Sequence, residues 1–156
     1  MASGHREIER KYLLRALPPE AAQWASAEME QGYLPGAQIN ERVRRIRESD
    51  GRVRYERTCK MGRGVERFEF QEETDEVFFT TVWPLTRGKR VFKRRYRVPA
   101  GALTFEVDEF LDRPLVLAEV ELERADQRID IPDSISAVLV REVTDEPEYS
   151  NHALAK

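Results

Sequence analysis

Apolar and polar residues alternate along most of this chain with a period near two, the spacing of a half-buried β-strand. The alternation predicts strands over residues 6–14, 39–47, 52–60, 65–73, 89–98, 103–110 and 115–124, and a short last strand over 141–145. Ser49-Asp50-Gly51 sets a hairpin between the second and third of these, and a Gly62–Gly64 turn joins the third to the fourth. Residues 19–30 open on Pro19 and continue through Ala, Glu, Trp24 and Met29, which predicts a helix with proline in its first turn. Residues 75–83, with Thr74 or Asp75 as cap, and residues 133–140 predict two more helices. Eight strands and few helices give a mainly β (α+β) fold: an eight-stranded antiparallel sheet closed into a barrel, so that no edge stays open.

Composition narrows this picture. The 156 residues show no repeat and no linker, so residues 1–156 read as one domain. Charged residues make up 35% of the chain, yet the net charge is only −3. Both signs are therefore abundant, and a chain-wide basic field for nucleic acid is absent. Cys59 is the single cysteine, so no internal disulfide forms, and a reducing cytoplasmic setting fits. With only His5 and His152 besides, zinc on nitrogen and sulfur is a poor match. Any metal should be a hard cation on carboxylate oxygen, Mg2+ or Mn2+. No apolar run is long enough for a bilayer, and no signal peptide opens the chain. A homodimer is left open.

The charged rows carry the chemistry. In an extended strand Glu7, Glu9 and Lys11 share one face. Over 115–123, Val116, Ala118, Val120 and Leu122 take one face, while Leu117, Glu119, Glu121 and Glu123 take the other. An ordinary wet strand face is the bland account of such a row. Like charges two residues apart repel, however, and a divalent cation would remove that cost. Arg67, Glu69 and Gln71 alternate with Phe68 and Phe70 in the same way. On the basic side, residues 87–97 hold seven cationic residues in eleven, Arg42 to Arg47 form a second cluster, and Lys60 ends the next strand. A nucleic-acid patch conflicts with equally acidic strands woven between the basic ones. An enclosed site in which arginine and lysine hold a polyphosphate, and carboxylates hold a metal bridging it, accounts for both rows.

These rows resemble the CYTH domain proteins, also called triphosphate tunnel metalloenzymes. The N-terminal Glu7-Ile8-Glu9-Arg10-Lys11 is similar to the family's Glu-x-Glu-x-Lys signature. Further matches follow in order: Gln31-Gly32-Tyr33-Leu34, Arg45-Ile46-Arg47, Thr58-Cys59-Lys60, Arg67-Phe68-Glu69, Lys93-Arg94-Arg95-Tyr96, Phe105-Glu106-Val107-Asp108, Ala118-Glu119-Val120-Glu121, and Tyr149-Ser150-Asn151 near the C-terminus. Gln71 departs from a second glutamate common in the family. Arg42 and Arg44 form a competing Arg-x-Arg pair; an even-length insertion in the hairpin keeps the assignment on Arg45 and Arg47.

The resemblance implies a tunnel-shaped barrel and a metal-dependent inorganic triphosphatase. It implies that Glu7, Glu9, Glu119 and Glu121 hold Mg2+ or Mn2+, assisted by Asp108 and Glu69, and that Lys11, Arg45, Arg47, Lys60, Arg67 and Arg95 grip the phosphates. Lys93 is its candidate general base, with Tyr33 orienting it; a phosphate clamp is the other role open to Lys93, and packing at the tunnel mouth the other role open to Tyr33. The partner is a small-molecule triphosphate, with neither nucleic acid nor membrane involved. Thiamine triphosphatase and adenylyl cyclase activities of the same family, and a non-catalytic polyphosphate-binding module, are the alternatives.

Overall fold

The computed structural model of the protein describes residues 2–36, 38–62 and 66–156. Among the described residues, nine strands build one antiparallel sheet: β1 Ala2–Leu14, β2 Ala25–Tyr33, β3 Asn40–Glu48, β4 Val53–Met61, β5 Glu66–Thr74, β6 Arg90–Ala100, β7 Leu103–Phe110, β8 Val116–Glu121 and β9 Leu139–Glu142. Their order is β5-β4-β3-β2-β6-β7-β8-β1-β9, and a further β1–β5 pairing closes the first eight into a barrel. β1 makes this closure by serving two neighbours in turn. Residues 2–8 pair with β5, and residues 9–14 pair with β8. The expected barrel is therefore present, but its membership differs. β9 is a short outside strand on β1, and β2 takes the eighth place.

β2 corrects the helix expected over 19–30. Only Pro19–Gln23 is helical, as a single 3-10 turn, and Ala25–Tyr33 is a strand bonded to β3 and β6. Ala, Glu and Met favour helix on intrinsic propensity. Here they also alternate: Ala27, Met29, Gln31 and Tyr33 are buried, while Ser26, Glu28 and Glu30 are only half-buried. A central position between two strands overrides a weak local preference. α1 (Glu76–Val82) is helical as expected, with the Asp75 side chain accepting from Phe78 N at 2.8 Å. α2 (Asp133–Ser136) is shorter than predicted, and α3 (Asn151–Leu154) was not predicted. The Gly62–Gly64 turn lies in part outside the described residues.

Alternation divides each strand between two environments. Ile8, Tyr12, Tyr96, Val98, Phe105, Val107, Ala118 and Val120 point out of the barrel and pack under Ala21, Leu122, Ile135 and Val138. Tyr33, Val91, Phe110, Leu117, Val143 and Ala155 form a second cluster that seals one end of the interior. Ala27, Met29 and Ile46 form a third. What remains inside the barrel is polar and mostly charged.

Candidate active site

Each barrel strand delivers its interior row by the same two-residue repeat. β1 supplies Glu7, Glu9 and Lys11, all buried. β8 lies beside it with Glu121 opposite Glu9 and Glu119 opposite Lys11. β5 brings Arg67 opposite Glu7, and β4 brings Lys60 opposite Glu69. Cross-strand partners share a face, so these side chains must meet inside. Lys60 lies 3.3 Å from both Glu7 and Glu69, Lys11 lies 3.6 Å from Glu119, and Arg67 is paired with Glu9. Glu121 is exposed at the rim of the same cavity.

β3 requires a correction. Arg42 and Arg44 are buried, whereas Arg45 is half-buried and Arg47 exposed. Arg45 pairs with Glu30 outside the barrel and lies over the Phe79 ring. The hairpin pairs Arg42 with Thr58 and Arg44 with Glu56, and this register turns even-numbered residues of β3 inward. Arg42 donates to Thr58 Oγ1 at 3.2 Å; Arg44 donates to Gln31 Oε1 at 3.0 Å and lies 3.6 Å from Glu56. The interior guanidinium pair is thus Arg42 and Arg44, and the expectation for Arg45 and Arg47 fails.

Asp108 also differs from its expected place. It is 1% exposed, with one oxygen accepting from Arg95 at 2.8 Å and the other from Arg95 at 2.9 Å and Lys93 at 2.7 Å. A carboxylate so engaged orients cations, with three of its four lone-pair sites already taken. Burial opposes its ionisation, but Arg95 and Lys93 outweigh burial and bring its pKa down to about 2. Lys93 is fully buried, and burial brings its ammonium down to about 7; Asp108 opposes that shift while Arg95 and Arg44 reinforce it. Its Nζ also donates to Asn151 Oδ1 at 3.1 Å.

Among the described residues, two cavities lie along the barrel interior. One of about 500 Å3 is lined by Glu9, Lys11, Tyr33, Lys60, Arg67 and the C-terminal stretch from Val143 to His152. The other, of about 270 Å3, is lined by Glu7, Glu9, Arg42, Arg44, Lys60, Glu69, Arg95, Glu119 and Glu121 among others. Glu9, Lys60 and Asn151 belong to both walls, so the cavities adjoin there. Lys93 and Asp108 line neither. Tyr33 stands in the larger cavity with its ring against His152, and its hydroxyl meets Gln31 Nε2 at 3.5 Å.

The carboxylates are strained as a set. Burial, then Glu119 and Glu7, push Glu9 up to about 8, even with Arg67 against it. Burial would raise Glu119 too, but Lys11, Arg95, Lys93 and Lys60 hold it well below the usual carboxylate range. Among the described residues, buried Glu7 Oε2 and Glu119 Oε1 accept no hydrogen bond. Two orphaned carboxylate oxygens beside a third carboxyl that resists ionisation suit a hard cation. Among the described residues no three such groups are yet drawn to ligand spacing, because lysine and arginine ends stand between them.

The geometry of opposed charges inside a closed barrel can now be set beside known proteins. No family model matches the chain. An inorganic triphosphatase of Nitrosomonas europaea is 37% identical over 157 residues, 96% of this chain and 96% of its own. The chain belongs to the inorganic triphosphatase family. A second inorganic triphosphatase, from Acetivibrio thermocellus, is 34% identical over 60% of this chain and 59% of its own. A crystal structure of an inorganic triphosphatase matches with TM-score 0.64 and 32% identity, over 96% of this chain and 93% of that one. A Pyrococcus horikoshii protein shares the fold, with TM-score 0.58 at 19% identity over 84% of this chain and 82% of that one.

Within this triphosphatase-family chain, sequence reasoning missed Arg42, Arg44, Glu56 and Asn151. The first three were legible. The predicted hairpin centres on Asp50, and strands equidistant from it place Arg42 against Thr58 and Arg44 against Glu56. Asn151 stood within the Tyr149-Ser150-Asn151 match, but a C-terminal crossing has no strand register from which to read its role. Among the described residues, no helix is long and apolar enough to cross a membrane.

Proposed function

We propose that the protein hydrolyses inorganic tripolyphosphate to pyrophosphate and phosphate inside the barrel, with Mg2+ or Mn2+ as the assisting cation. The observation that carries this reading is the joint lining of two adjoining cavities by opposed charge sets. Glu7, Glu9, Glu69, Glu119 and Glu121 stand against Lys11, Arg42, Arg44, Lys60, Arg67 and Arg95. The curated relative of Nitrosomonas europaea, named an inorganic triphosphatase, supports the substrate class.

Glu7, Glu9 and Glu119 would hold the cation, with Glu69 and Glu121 within the same cavity. Bound there, it would neutralise phosphate charge and help orient the chain of phosphates. The arginines and lysines bind the phosphoryl oxygens, Arg42 and Arg44 as forks and Lys11 and Lys60 as point charges. Water attacks the terminal phosphorus, the bridging P–O bond breaks, and its electron pair leaves with pyrophosphate. The proton lost by water goes to Lys93 Nζ, neutral in part near pH 7 because it is buried. Lys93 Nζ lies directly behind Asn151, one side chain away from the cavities.

The assay is direct. Tripolyphosphate, thiamine triphosphate and ATP are each incubated with the protein and Mg2+ or Mn2+, and phosphate, pyrophosphate and cyclic AMP are measured. Phosphate and pyrophosphate from tripolyphosphate support the reading. Cyclic AMP from ATP, or turnover of thiamine triphosphate alone, replaces it with one of its relatives. Binding without turnover makes the barrel a polyphosphate-binding module.

A further inference from the structure

Asn151 is the one uncharged residue common to both cavity walls; Glu9 and Lys60 are the other two. Its Oδ1 accepts from Lys93 Nζ at 3.1 Å. An amine or ammonium offers N–H donors here, so the amide oxygen faces Lys93 and the Nδ2 end faces away from it. The structure gives Nδ2 no protein acceptor among the described residues. The side chain is half-buried on the tunnel wall, while Lys93 behind it is wholly buried. A pair of N–H donors is thus left over beside cavities whose proposed occupant is a polyanion.

The backbone holds this amide in place. Asn151 O accepts from Ala155 N at 3.0 Å, and Ser150 Oγ accepts from Ala153 N at 3.1 Å. Beyond them Lys156 and Arg90 exchange two backbone hydrogen bonds of 3.0 and 3.1 Å. Arg90 begins β6, the strand that carries Lys93. Lys11 Nζ donates to Tyr149 O at 3.0 Å on the other side. Only a neutral, two-ended side chain suits this place. A lysine would repel Lys93, and an aspartate would repel phosphate.

We infer that Asn151 is a substrate-contacting residue: Nδ2 donates to a phosphoryl oxygen where the two cavities adjoin, while Oδ1 positions Lys93. The inference rests on the triphosphate reading of the tunnel and adds a ligand contact from the C-terminal crossing.

The test compares wild type, Asn151→Ala, Asn151→Asp and Lys93→Ala in steady-state kinetics with tripolyphosphate, and in calorimetric binding of pyrophosphate. Asn151→Asp keeps an oxygen for Lys93, so it guards against a variant that fails to fold; thermal melting checks both. Asn151→Ala should raise KM and the pyrophosphate Kd about tenfold and lower kcat by a similar factor. Asn151→Asp should raise both binding constants by at least about tenfold, through repulsion, with kcat less affected than in the alanine variant. KM and Kd of both variants within about twofold of wild type overturn the contact. If Lys93→Ala keeps wild-type turnover, the base assignment falls, and the pyrophosphate Kd still decides for or against Asn151.

Discussion

Lys93, Asp108 and Arg95 show how much one residue's environment sets its chemistry. A lysine on the surface is protonated through the physiological range. Burial brings Lys93 to about 7, so rate should rise as pH passes through about 7 and level off above it. Lys93→Ala should lower kcat at least about 100-fold, change KM little and abolish that limb in a pH–rate profile. Asp108 opposes the shift, so Asp108→Asn should move the limb to lower pH. The same substitution leaves two buried cations short of a partner. It should cost about 3–5 kcal/mol in urea unfolding.

Facing decides what each element contributes. In β3, Arg42 and Arg44 look into the tunnel, and Arg45 and Arg47 look out. Arg42→Ala or Arg44→Ala should raise KM for tripolyphosphate at least about tenfold, while Arg45→Ala and Arg47→Ala should stay within about twofold. Steady-state kinetics on the four variants reads the difference. In β2, Gly32 is buried against the 3-10 turn at Trp83–Thr86, and a methyl group there would stand 2.5 Å from the Thr86 side chain. Gly32→Ala should therefore destabilise the barrel by about 1–3 kcal/mol in thermal or urea unfolding. The acidic rows of β1 and β8 and the basic row of β6 were legible from period-two alternation, because their inward charges recur at every second residue. β2 was not, because its residues are good helix formers and only its alternation betrays a strand. Asp108 was misplaced for a different reason. A sequence row tells which face a carboxylate takes, but not that Arg95 and Lys93 reach it first.

At the scale of the whole molecule, the barrel wall is assembled like any half-buried sheet, and its interior is where it departs from one. Small barrels are ordinarily filled by packed side chains. Here apolar clusters lie outside and at the ends, and the middle is ionic. Glu9 binds its proton more tightly in the fold than in the unfolded chain, at about 8 against an ordinary 4.5. Its contribution to stability is then full below 4.5 and lost as pH rises through about 8. A divalent cation bound there, as proposed, would take the place of that proton. Mg2+ or Mn2+ should raise Tm more at about pH 9 than at about pH 5, and a chelator should remove the difference, as thermal unfolding can show.

The pairing of Lys60 with two glutamates and of Arg95 with Asp108 and Glu106 would make the proposed loading of the tunnel a metathesis. Interior anions would trade ammonium for metal while interior cations would trade carboxylate for phosphate. Neither half of that exchange is favourable alone, since each would strand the ions it displaces. Cation and polyphosphate should accordingly recruit one another, each tightening the other's hold by the same factor.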